Sequence, residues 1–191
     1  MNEQNDMSAR FDEENVLRML QEDDATQRRA FAMIVEEFGQ QLYWQIRRLV
    51  LNHDDANDVL QETLIQAWKN IDYFRGESKL STWLYRIAIN QSLNFLNKQK
   101  AQQSISMDNE EASVANQLES DPYFDGEKAQ RLLQQALTTL PDKQRLVFNL
   151  RYFDELTYTE ISEIIGSSVG ALKADYHLAV KKISKFFEDA D

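Results

Sequence analysis

Residues 157–185, TYTEISEIIGSSVGALKADYHLAVKKISK, leave the chain little conformational choice. Thr157 and Glu160 stand three apart, the spacing of a capping box, in which each side chain satisfies a backbone N–H of the other. They open a short helix with Ile161, Ile164 and Ile165 on one side. Gly166 stops that helix, and Ser167 or Ser168 caps a longer one. Its inner stripe reads Val169, Leu172, Tyr176, Ala179, Ile183 and Phe186. Short helix, glycine turn and longer helix is the layout of a helix-turn-helix. A structural helical hairpin has the same pattern. Lys173 near the start of the second helix, with Lys181, Lys182 and Lys185 further along, favours a DNA-facing role, and Asp175 opposes it as a carboxylate on the outer face.

The rest of the chain also reads as helical. Five glycines and two prolines in 191 residues leave few turns or strand breakers, so the expectation is an all-α protein of two small helical domains. Residues 129–140 form an amphipathic helix ending at Pro141, which suits the start of the next helix, so the second domain has four helices. In the first domain, Phe31, Ile34, Val35 and Phe38, then Leu42, Ile46, Leu49 and Val50, indicate two helices joined near Gly39. Asp54 or Asp55 caps the next, whose buried stripe is Val59, Thr63, Leu64, Ala67, Trp68 and Ile71.

The net charge of −11 argues against a nucleic-acid partner until it is located. Residues 1–29 hold eight acids and four bases, and residues 101–127 hold seven acids and no base, while residues 30–100 and 128–191 are balanced. The chain therefore divides into an acidic N-terminal tail (1–24), a first domain (25–100), a flexible acidic linker (101–126) and a second domain (127–191). A linker of that length has a root-mean-square reach of about 25–30 Å. With no cysteine, a disulfide framework, thiolate metal site or cysteine nucleophile is excluded, and His53 and His177 stand alone. Neither a phosphate-binding glycine loop nor a catalytic triad appears, so no cofactor, metal or enzymatic activity is expected. No apolar run reaches membrane-spanning length, and a cytoplasmic location is the expectation.

Residues 73–100 are the local exception in charge, with Arg75, Lys79, Arg86, Lys98 and Lys100 against Glu77. A polar loop around Gly76 leads into Trp83 and Tyr85, then Asn90 and Asn94 one helical turn apart. Aromatics at this spacing also serve as core. Joined to amides and cations they can hold an unstacked base, since stacking on an aromatic is worth roughly 1–3 kcal/mol.

Together these segments resemble the extracytoplasmic function sigma factors of bacterial RNA polymerase. The likeness is carried by DVLQETLIQAWKNIDYFRGESKLSTWLYRIAIN and LPDKQRLVFNLRYFDELTYTEISEIIGSSVGALKADYHLAVKKI, in that order and separated by the acidic segment. It implies that the chain binds core polymerase, recognises a −35 duplex and a −10 single strand, and assists melting without catalysing a reaction. Asp58, Gln61 and Glu62 are implied to dock on the clamp coiled coil of the largest subunit, and Pro141, Arg145 and Phe148 to meet the flap. Phe74, Arg75, Gly76, Glu77, Ser78, Lys79 and Leu80 would form the pocket for an extruded −10 base, with Asn90 and Asn94 as its floor and Trp83 and Arg86 at the melting edge. Ser168, Lys173, Ala174, His177 and Lys181 would read or approach the −35 element. The family pattern after Val169-Gly170 is Thr-Val-Lys-Ser-Arg, whereas this chain has Ala171-Leu172-Lys173-Ala174-Asp175 and then Leu178, so weaker −35 binding is expected. The resemblance also implies a cognate anti-sigma factor. Two other readings stay open on sequence alone: a free-standing helix-turn-helix regulator with a ligand-binding or dimerising first domain, and a helical adaptor that binds only proteins.

Overall fold

The computed structural model describes residues 11–105 and 128–190. Among them are eight α-helices and one 3-10 turn, with no strand. Helices α1 (Glu13–Met19), α2 (Asp24–Val50), α3 (His53–Asn70) and α4 (Leu80–Ile105) build the first domain, with the 3-10 turn at Ile71–Tyr73. Helices α5 (Lys128–Thr138), α6 (Asp142–Tyr152), α7 (Tyr158–Ile165) and α8 (Val169–Ala190) build the second. The all-α architecture and the four-helix second domain are as the sequence indicates. Among the described residues no helix is long and apolar enough to cross a membrane.

Four local expectations are corrected. Part of the supposed N-terminal tail is structure: Asp12 caps α1, whose Val16 is fully buried beside Leu20, with Phe11 edge-on to Phe38 at 5.2 Å. Gly39 does not break the chain, because α2 is one helix of 27 residues. Interior glycine costs a helix about 1 kcal/mol, an amount the buried stripe of Ile34, Phe38, Leu42 and Ile46 outweighs. Asn52, not Asp54 or Asp55, caps α3, accepting from both of their N–H groups at 2.8 and 3.1 Å. Helix α4 runs on to Ile105, past the start assigned to the linker, and residues 106–127, which hold the remainder of that segment, lie outside the described residues.

The second domain follows its sequence closely. Thr157 and Glu160 form the reciprocal capping box, Gly166 ends α7 in the left-handed region at φ 70°, and the Ser168 hydroxyl accepts from the Ala171 N–H at 3.3 Å. Leu172, Ala179 and Ile183 are buried along α8.

The hydrophobic cores do not divide along the domain boundary. One cluster belongs to the first domain, with Ile34, Leu42, Ile46, Leu80, Leu84 and Ala88 at its centre. Another belongs to the second, around Leu137, Leu140, Phe148 and Ile183. A third is shared: Leu49 from α2 and Ile89 from α4 are buried with Leu146, Val147, Leu150, Ile161, Ile164 and Leu172. Arg48 and Asp154 form an ion pair at its edge, their side chains 16% and 9% exposed, and the guanidinium lies 4.9 Å over the Phe153 ring. The two domains are thus packed face to face.

Candidate nucleic-acid interface

The loop between the 3-10 turn and α4 is built by one backbone exception. Gly76 sits at φ 70°, a conformation that costs other residues roughly 1–2 kcal/mol, and it turns the chain away from α3 and back toward α4. Below the turn, α1 and the start of α2 supply the support that the sequence reading missed. The Glu13 carboxylate accepts from the Leu80 N–H at 2.9 Å, capping α4 from 67 residues away, and Gln27 donates to Asp72 at 2.7 Å. The only sequence signal for this support is the apolar spacing of Phe11, Val16 and Leu20.

On the outer side the loop closes a cavity of about 340 Å³, lined by Tyr73, Phe74, Arg75, Glu77, Ser78, Trp83, Arg86 and Glu163. Six of these are residues the sequence proposes for −10 recognition. Phe74 and Trp83 stand with ring centroids 5.3 Å apart, and Tyr73 is 78% exposed at the mouth. Aromatic faces beside a guanidinium and a hydroxyl suit a planar base with polar edges. Some proposed residues are not in the cavity. Leu80 is fully buried and does not line the cavity; Asn90 and Asn94 are exposed on α4 outside the cavity wall. Arg86 reaches across to the second domain, where its guanidinium donates to the Glu163 carbonyl at 2.7 Å.

On α3, Asp58, Gln61 and Glu62 are all exposed on one face. The same face carries Ile65, 40% exposed, and Trp68, 36% exposed. Trp68, read from sequence as part of the buried stripe, packs edge-to-face with Phe31, ring centroids 5.0 Å apart, yet keeps about a third of its surface, 36%, exposed.

In the second domain Ser168, Lys173, Ala174, His177 and Lys181 are all exposed on α8 or at its start. Lys173 lies 5.9 Å over the Tyr158 ring, an arrangement that holds the cation near the turn. Asp175 is not the outward carboxylate that the sequence reading took it to be: its side chain is 19% exposed, and Lys143 on α6 lies 3.1 Å away. Arg145 and Phe148, expected to meet the flap, are 5% and 4% exposed. Arg145 is bonded to Asp142 at 2.9 Å and Phe148 stacks on Tyr152 and Tyr176, so α6 turns both inward.

These two faces coincide with two known sequence families. Residues 34–102 match Sigma-70 region 2, and residues 130–183 match Sigma-70, region 4. The chain is 34% identical over 168 residues to the ECF RNA polymerase sigma factor SigW of Bacillus subtilis, covering 84% of this chain and 90% of that protein. The chain belongs to the extracytoplasmic function sigma factors. It is also 30% identical over 176 residues to the ECF RNA polymerase sigma-E factor of Escherichia coli, covering 88% of this chain and 90% of that one. The fold is that of solved sigma factors. The sigma factor RpoE of Bartonella quintana, solved with the anti-sigma factor NepR, aligns with a TM-score of 0.68 at 24% identity, over 83% of this chain and 96% of that one. CnrH, solved with the cytosolic domain of CnrY, aligns at 0.66 and 22% identity, over 94% and 98%. As a sigma factor the chain directs core RNA polymerase to promoters and assists DNA melting, and the free-standing regulator is not favoured.

Proposed function

We propose that residues 25–100 hold polymerase and the −10 element while residues 127–191 hold the −35 element, and that the chain acts by binding alone, in the cytoplasm, without catalysing a reaction. The observation that carries this assignment is the aromatic and cationic cavity behind Gly76, in a molecule that also exposes a capped, lysine-bearing helix. Asp58, Gln61 and Glu62 dock on the clamp coiled coil of polymerase, and the apolar Ile65 and Trp68 beside them favour a protein partner there. Phe74, Arg75, Glu77, Ser78 and Trp83 hold an extruded base, and Arg86 holds a phosphate at the melting edge. Asn90 and Asn94, further along α4, follow the strand as it leaves the cavity.

Lys173, Ala174 and His177 read the −35 duplex, with Ser168 and Lys181 on its phosphates. Asp175 takes no part in that contact, and the absent basic residues make −35 binding depend on polymerase for affinity. An anti-sigma factor is a further partner, by likeness to the complexes of RpoE and CnrH.

Transcription with bacterial core polymerase tests the assignment. Arg75→Ala should lower transcript from a duplex promoter about tenfold, a loss of about 1.4 kcal/mol, and recover on a template already opened at −10. Equal loss on both templates would place Arg75 outside strand capture.

A further inference from the structure

Helix α8 carries no arginine, asparagine or glutamine between Val169 and Ala190. The paired hydrogen bonds by which a guanidinium fork reads guanine, or a side-chain amide reads adenine, cannot come from it. What it reads instead depends on which of its side chains face outward.

Successive helical residues turn by about 100°, so each direction follows from the buried line of Leu172, Ala179 and Ile183. On the opposite side stand Gly170, Ala174, His177, Leu178 and Lys181, all exposed. Leu178 is 44% exposed, more than any other large apolar side chain of the helix. Val169 and Val180 are also exposed, but they stand about 60–80° from the buried line, whereas Leu178 stands about 120° away.

A single exposed leucine is ordinary on a protein surface. This one has Lys173 before it and Lys181, Lys182 and Lys185 after it, all in solvent. Those charges favour a polyanion as the surface that covers it. On a duplex, the apolar atoms within reach of a helix in the major groove are the C5-methyl groups of thymine.

The competing readings are withdrawn from the same face. Asp175, three residues before Leu178, is turned to Lys143 at 3.1 Å, which removes the acceptor that a cytosine amino group would need. Lys173 lies over the Tyr158 ring at 5.9 Å. The helix keeps a hydrogen bond from Lys173 or His177, and an apolar contact at Leu178.

We propose that Leu178 is a specificity-determining residue of this sigma factor: it packs on the C5-methyl group of a thymine in the −35 duplex and so selects thymine over cytosine, which lacks that methyl. The proposal rests on the −35 reading above. Ala174, one turn earlier on the same side, is small enough to let the helix approach the base edges and bring Leu178 into reach.

Holoenzyme assembled from core polymerase and the full chain tests this on a promoter that it transcribes, with the −35 element located by footprinting. Each thymine of the element is replaced in turn by uracil, which removes the methyl group and keeps every hydrogen-bonding edge. At one position the wild type should lose about fourfold in promoter binding, the worth of one buried methyl-sized group. Leu178→Ala should weaken binding to the natural promoter by a similar factor and be indifferent to uracil at that position, so that the two losses do not multiply. Losses that multiply, the result expected if Leu178 packs on polymerase instead, overturn the proposal. So does protection of the −35 element with no uracil effect at any thymine, a result that leaves the −35 reading standing and does not depend on how a variant folds. Absence of −35 protection would remove that reading itself, and the proposal with it.

Discussion

The proposed melting face and the proposed duplex-reading face reach their shapes by opposite means. The reading face is regular: a reciprocal capping box, a glycine stop, a serine cap and a straight 22-residue helix whose lysines stand in solvent. The melting face is an irregular loop held by one left-handed glycine, a cap borrowed from α1, and the second domain lying across its edge. A duplex offers a preformed groove that a rigid helix can meet as it stands. An extruded base needs a concavity, which backbone regularity does not supply. The difference also extends to surroundings, since Glu163 of the second domain stands in the wall of the cavity while the lysines of α8 are exposed.

The largest expected effect comes from the shared core. Ile89→Ala should cost about 2–5 kcal/mol and uncouple the domains, because this α4 side chain is buried among second-domain residues. Calorimetry of the full chain should then show two transitions where the wild type shows one. A single unsplit transition would mean the faces are not linked through that cluster.

Gly76→Ala acts on one face only. Nothing lies within 4 Å of an added Cβ, so the cost is the left-handed backbone alone, about 1–2 kcal/mol. Opening of a duplex promoter, followed by permanganate reactivity, should suffer while −35 protection stays unchanged. Thr157→Ala is its counterpart, removing half of the capping box for about 1 kcal/mol. It should lower the melting temperature of the second domain and weaken −35 protection, and spare transcription from a template opened at −10. Crossed effects from either substitution would break the division.

The smallest effect is a pH dependence of the packing between the two domains. Burial, only partly offset by the attraction of Arg48, holds the Asp154 carboxyl above the ordinary aspartate value of 3.8. The packed arrangement therefore binds that proton more readily than separated domains do. Its population should rise as pH falls from the raised value toward 3.8 and drop as pH rises through the same interval. Asp154→Asn should flatten the separation-against-pH curve measured with paired fluorophores.

The reading face was legible in the sequence because its determinants are local: Thr157 and Glu160 are three apart, and Gly166 and Ser168 are neighbours. The loop around Gly76 was legible as composition, and six of the cavity residues with it. Periodicity tells which side of a helix is buried but not against what. Leu49 reads as first-domain core and turns out to pack on the second domain, while Arg145 and Phe148 read as a docking surface and are inside. Asp175 reads as an obstacle to DNA until Lys143, 32 positions earlier, is placed beside it. Glu13 could not be assigned to Leu80 without knowing that α1 folds under the loop.

The contrast between the two proposed faces, one packed against its neighbouring domain and one not, is most directly tested by setting a second cation against Arg48. Asp154→Arg places like charges in a site where both side chains are largely buried, and should open the molecule. Binding of the free chain is then measured, for wild type and variant, to two probes from a promoter that the holoenzyme transcribes: the single-stranded −10 segment and the −35 duplex. The variant should bind the single strand about tenfold more tightly, a gain of about 1.4 kcal/mol, and the duplex within about twofold of wild type. Equal gains on both probes, the outcome of an added charge alone, would contradict the assignment of the −10 strand to the cavity that the second domain packs against.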